Sequence, residues 1–144
     1  MENERLIKRG LYLAQKGHLE EALKVFEEEF CFAHHPGATS YYALCLAEVE
    51  RDYDRAVSLC LLAAEREFYN PDVYFNLGRI FLLKGQKVYA IKSFKKGLQF
   101  GTNHAELVNA IKKLGSRRKP IVPFLPRHHF INKFLGRFIH RRGN

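Results

Sequence analysis

No run of about 18 apolar residues exists in this chain, so no segment of it is expected to span a bilayer as a helix. The opening residues, Met1-Glu2-Asn3-Glu4-Arg5, are charged and offer no apolar stretch of signal-peptide type, which makes the cytoplasm the expected location. Cysteine is scarce: Cys31, Cys45 and Cys60 are far apart and form no Cys-x-x-Cys pair. That spacing argues against a zinc site and against a disulfide framework, and each thiol reads as a small buried hydrophobe. A Gly-rich phosphate loop, a nucleophile elbow and a His-Glu-x-x-His motif are all missing. The adjacent pairs His34-His35 and His128-His129 would point apart on a helix, so neither is read as a shared metal ligand. No spacing picks out an acid–base pair. The chain is therefore expected to be no enzyme, and no metal or cofactor is assigned to it.

Acid is missing altogether from residues 116–144, which hold 8 of the 24 Lys and Arg. Residues 1–115 carry the other 16 against all 15 Asp and Glu, so the net charge of +9 divides as +1 and +8. Any electrostatic attraction to nucleic acid or anionic lipid must run through the last 29 residues. The first 115 residues have the composition of a folded domain, at 47% hydrophobic over the whole chain.

What is present is a repeat. Ala22, Ala56 and Ala90 fall at one 34-residue interval, and four residues after each come Phe26, Cys60 and Phe94. Twelve residues before come Gly10, Leu44 and Gly78. A period of this length, with small residues at fixed offsets, signals stacked helical hairpins. Three units follow, 3–36, 37–70 and 71–104, with first helices at 3–16, 38–50 and 71–84 and second helices at 19–33, 53–67 and 87–99. Apolar residues three and four apart, as in Leu19, Ala22, Leu23, Phe26 and Phe30, give each helix one buried face. Gly17 and Gly85 can take the left-handed backbone that ends a helix. Asn70-Pro71 supplies a capping side chain and then a proline at the first helical position. His35-Pro36-Gly37 and Gly101-Thr102-Asn103 read as turns. Asn103, with Glu106 three residues on, predicts a capping box that opens a seventh, capping helix over 104–114 with Leu107, Val108, Ile111 and Leu114 on its apolar face.

These positions resemble the tetratricopeptide repeat family. Gly10, Gly17, Ala22 and Phe26 match its small-residue and aromatic pattern, as do Tyr74, Leu77, Gly78, Phe81, Gly85, Ala90 and Phe94. The middle unit departs from it, with Leu44, Arg51 and Cys60 where small, glycine and aromatic residues are usual. The resemblance covers residues 3–115 and implies an all-α solenoid of three hairpins plus a capping helix. It also implies a groove lined by the first helices, in which the family holds a peptide or partner helix. On the family's inward positions the lining is Ile7, Leu11, Tyr41, Cys45, Phe75, Arg79 and Leu82, mainly apolar and aromatic, with Glu4, Ala14, Ala38, Glu48 and Asp72 alongside. Family members that grip heat-shock chaperone tails clamp a terminal carboxylate with Lys, Asn and Arg. The corresponding positions here are Ile7, Leu11, Tyr42, Asp72 and Asn76, which rules out that clamp and leaves an apolar peptide or helix of another protein as the expected partner. The expected role is a non-catalytic adaptor.

The tail, 116–144, is of another kind. Pro120, Pro123 and Pro126 recur at the three-residue period of a polyproline II helix, with Ile121, Val122, Phe124 and Leu125 on the remaining edges. A short amphipathic helix is predicted from His129, where Phe130, Ile131, Phe134, Leu135, Phe138 and Ile139 form an apolar stripe flanked by Lys133, Arg137 and Arg141. Gly136 weakens that helix by roughly 1 kcal/mol, so it needs a surface to lie on. The solenoid itself, an anionic membrane at the inner surface, a protein partner and a second copy of the chain all remain open as that surface. Arg117, Arg118, Lys119 and Arg127 could contact phosphates, but the aromatics do not interleave with the arginines as base-stacking platforms would, which places nucleic acid last. Repeats joined to such a tail are similar to small stand-alone bacterial repeat proteins. The competing expectation to an adaptor is a surface-targeting module that binds membrane or nucleic acid through this basic tail.

Overall fold

A computed structural model of the chain describes residues 2–28 and 35–115, which up to Leu114 belong to one compact unit. The expected polyproline stretch and amphipathic helix of the tail lie outside the described residues, as do Cys31, His34 and the predicted end of the second helix. Seven helices occur among the described residues: α1 (Glu2–Gln15), α2 (Leu19–Glu28), α3 (Pro36–Cys45), α4 (Tyr53–Arg66), α5 (Pro71–Leu83), α6 (Lys87–Phe100) and α7 (Ala105–Gly115). They pair as hairpins, α1 with α2, α3 with α4 and α5 with α6. The first helices also pack on one another, α1 on α3 and α3 on α5, which builds the inner row of the stack.

The recurring positions explain the packing. Phe26 and Phe94 are enclosed, each gaining roughly 1.5–3 kcal/mol from burial. Their rings lie against the backbone of Gly10 and Gly78; an added Cβ at Gly10 would sit 2.6 Å from Phe26, and one at Gly78 would sit 2.2 Å from Phe94. In the middle hairpin the sizes are reversed. Leu44 stands at the glycine position and Cys60 at the phenylalanine position, both with no exposed surface. A large residue has moved from the second helix to the first, and the total volume between the helices is roughly kept. Ala22, Ala56 and Ala90 are likewise fully buried where the paired helices approach.

The ends of the helices follow the same period. Pro36 and Pro71 stand at the first helical positions of α3 and α5, so α3 starts two residues before the sequence suggests. His35 Nδ1 accepts the Ala38 N–H at 3.1 Å, Asp52 Oδ1 accepts that of Arg55 at 3.3 Å, and Asn70 Oδ1 accepts that of Asp72 at 3.0 Å. Gly17 and Gly85 take left-handed φ values of 84° and 79°, and Arg51 takes the same position at 59° without being a glycine. Before Arg51, α3 widens into a π-helical segment, Leu46–Glu50, which the sequence does not announce. The capping box predicted at Asn103 is corrected. α7 starts one residue later, and the cap is His104, whose Nδ1 accepts the Leu107 N–H at 3.4 Å.

Candidate functional site

The inner face carries a stripe from each first helix. On α5, Asp72, Phe75, Arg79 and Leu82 are spaced three, four and three residues apart and so share a side of the helix. Ile7, Leu11 and Gln15 do the same on α1; Tyr41 reaches Gln15 from α3, and Glu48, from the π-helical end, reaches Arg79. Tyr41 is the residue these elements converge on. It hydrogen-bonds the Gln15 side chain and lies near Asp72, Arg79 and Glu106; burial, with the Asp72 charge next, raises its phenol above the ordinary range.

A polar network surrounds this tyrosine. Arg79 Nη2 lies 3.2 Å from Glu48 Oε1, and its guanidinium stands 5.8 Å from the centre of the Phe75 ring. Phe75 in turn packs on the His104 imidazole, with ring centres 5.8 Å apart. His104 sits between two carboxylates, Nε2 at 2.6 Å from Asp72 and Nδ1 at 3.3 Å from Glu106. Because Nδ1 accepts the Leu107 N–H, the neutral ring keeps its proton on Nε2 and donates it to Asp72. This part of the face therefore holds three carboxylates, Glu48, Asp72 and Glu106, against one guanidinium.

The structure brings Tyr41, Phe75 and Arg79 together. It keeps Ile7 and Leu11 half-buried against the core and leaves Leu82 exposed at the far end of α5. The expectation for Cys45 is corrected: it has no exposed surface and belongs to the core. Burial pushes its thiol up to about 12, so it is neither a lining residue nor a nucleophile. Two positions weighed for a carboxylate clamp are also withdrawn from the face. Tyr42 is buried, with its ring edge-on to Phe26 and its hydroxyl accepting from Arg55 at 3.2 Å. Asn76 is buried between α3 and α5 and donates to Ser40 Oγ at 3.1 Å.

Gln15, His104 and Glu106 were not singled out as groove residues by the sequence. A signal for His104 existed. Asn70 caps the first helix of its hairpin, and the position one 34-residue repeat further on is 104. Among the described residues no group of three or more His, Cys, Asp or Glu side chains converges as a metal site would, and no described helix is long and apolar enough to cross a membrane.

Solved structures share the fold. The first TPR domain of Spaghetti (RPAP3), bound to the HSP90 peptide SRMEEVD, matches with a TM-score of 0.64 at 18% identity, covering 78% of this chain and 90% of that one. The fold is that of a tetratricopeptide repeat domain. The Yersinia enterocolitica type III secretion translocator chaperone SycD, in an alternative dimer, shares it with a TM-score of 0.54 at 23% identity, over 79% of this chain and 86% of that one. No protein-family model and no curated protein matches the sequence. The tetratricopeptide fold thus rests on three hairpins with their 34-residue period and on these two likenesses.

Proposed function

We propose that the chain is a non-catalytic adaptor that holds a peptide or helix of another protein against the inner face of α1, α3 and α5. The observation that carries this reading is the cluster of half-buried Tyr41 and Phe75 with Leu11 and Leu82 on that face. Partly exposed aromatics in such a row are the anchors from which peptide grooves draw most of their affinity. The two structural neighbours, one a domain bound to a peptide and the other a chaperone, are consistent with that use.

The three carboxylates of the inner face refine the ligand. An acidic peptide end would meet Glu48, Asp72 and Glu106 with only Arg79 to receive it, so a clamp for a carboxylate tail is disfavoured. An apolar segment carrying a lysine or arginine suits the face better. The basic residues of 117–142 are proposed to fix the location of this cytoplasmic adaptor or to close the stack.

Affinity capture from native cell extract tests the reading, with the unmodified chain, the Tyr41→Ala/Phe75→Ala variant and a chain truncated after Gly115 run in parallel. The adaptor reading expects the double variant to lose its captured polypeptide while circular dichroism shows the helices intact. Capture that survives in the folded double variant refutes it. Cosedimentation with anionic vesicles that disappears on truncation and weakens with salt would instead favour the surface-targeting reading.

A further inference from the structure

A second groove lies on the opposite side of the stack. Helices α4 and α6 both pack on α5, and the space between them is an open groove of ≈ 620 Å³, within the range of about 300–1,000 Å³ usual for ligand sites. Its floor is Tyr74 and Leu77 of α5, both buried, and its walls include Leu61 of α4, Phe68 of the turn that follows it, and Phe81 and Tyr89 of the α5–α6 hairpin. Leu61 is 45% exposed, Tyr89 54% and Phe68 60%. Apolar side chains left this open on the outer side of a stack, where solvated residues are expected, mark a contact surface.

The charge around the groove is one-sided. Helix α6 carries Lys87, Lys92, Lys95 and Lys96 and no acid, and none of the four takes part in an ion pair among the described residues. Lys92 and Lys96 line the groove itself, their ammonium groups 5.6 Å from the Tyr89 ring centre and 5.3 Å from that of Tyr74. Glu65, on α4, is the single carboxylate among its lining residues.

We propose that this outer groove is a docking site, separate from the inner face, for an acidic amphipathic helix of another protein. The apolar side chains of that helix enter between α4 and α6, and its carboxylates meet Lys92 and Lys96. Charge selects this occupant over the nearest alternatives. The chain's own residues 116–144 contain eight basic residues and no acid, so the lysines repel them. In a second copy the inner-face acids Glu48, Asp72 and Glu106 already contact Arg79 and His104, and the other acid-rich surface is α2, with Glu20, Glu21, Glu27 and Glu28 exposed, but its Leu23, Val25 and Phe26 are buried. That surface offers carboxylates without the apolar side chains the groove needs. A phospholipid head group has no cationic partner for Glu65 unless it is zwitterionic, whereas a helix supplies lysine or arginine freely.

The test uses the full-length chain and a fluorescent peptide of about 16 residues, with Leu and Phe on one helical face and Glu on the other, titrated by anisotropy. Its twin has Lys in place of every Glu. The Glu peptide is expected to bind and the twin not to. Reversing the exposed lysines in a Lys92→Glu/Lys96→Glu variant should weaken binding about tenfold or more, and so should Leu61→Asp, while Phe75→Ala on the inner face leaves it unchanged. Equal binding of the twin, or unchanged affinity in both folded groove variants, overturns the proposal. So does binding confined to phosphatidylglycerol vesicles, or self-association in sedimentation that vanishes with the lysine reversal. Loss of binding in Phe75→Ala alone would place the peptide on the inner face and overturn the proposal for the outer one.

Discussion

Gly78 and Phe94 show how narrow the tolerances are at single residues. A methyl group at Gly78 would lie 2.2 Å from the Phe94 ring, and that ring has no exposed surface into which to retreat. Gly78→Ala is therefore expected to destabilise the fold by about 1–3 kcal/mol, read as a lowered urea midpoint with unchanged slope. The period in the sequence already exposed this pair, because a glycine and a phenylalanine sixteen residues apart recur at Gly10 and Phe26. The middle hairpin was harder to read. Leu44 and Cys60 look like departures from the pattern until both are seen buried, when they become one exchange of volume. A pairwise compensation cannot be recognised from either residue alone.

Cysteine chemistry belongs to the same scale. Cys45 and Cys60 are enclosed, and burial raises both thiols, that of Cys45 from 9.0 to about 12. Both should resist iodoacetamide at pH 8 in the folded chain and react once urea unfolds it. A raised folded value means the unfolded chain releases the proton first. The stabilising contribution is thus complete below about pH 9 and is lost as pH rises towards about 12. A urea midpoint that falls over that window is the expected result, and one that rises would contradict it.

Between residues and the whole chain, the elements are set by their ends. The turn after each first helix places one residue in the left-handed region, and two of the three are glycines. Arg51 fills the same position at φ 59°, where a side chain costs roughly 1–2 kcal/mol. Arg51→Gly removes that strain but gives the unfolded chain more freedom. A net gain of up to about 1 kcal/mol is expected, measured as a higher thermal midpoint. The helices themselves were legible from apolar spacing and punctuation. The π-helical stretch Leu46–Glu50 was not, because a shift from i−4 to i−5 hydrogen bonding over five residues leaves no trace in the pattern of apolar positions. The start of α7 was misread for a related reason. An asparagine looks like the better cap, but Asp72, thirty-two residues away, holds the His104 ring in place.

At the scale of the whole molecule, charge is sorted by surface. The inner face groups Asp72 and Glu106 near Tyr41 with Glu48 on Arg79, the outer groove presents lysines from α6, and residues 116–144 carry +8. The sequence disclosed the last of these directly, since the imbalance is contiguous. It concealed the first, whose members come from different repeats, and the apolar lining of the second, which forms only when α4 and α6 meet over α5. The apolar lining expected from inward positions was half of the inner face; the network of Arg79, Glu48, His104 and Asp72 is the other half.

The claim beneath this account is that the row of α1, α3 and α5 is a surface for another polypeptide. Site-specific photo-crosslinking in intact cells tests it most directly, with benzoylphenylalanine at position 82 on the inner face and, as control, at exposed position 24 on α2. A discrete crosslinked polypeptide from position 82, lost when Phe75→Ala is added and not seen from position 24, is the predicted result. No crosslink at position 82, or the same products from both positions, would contradict it.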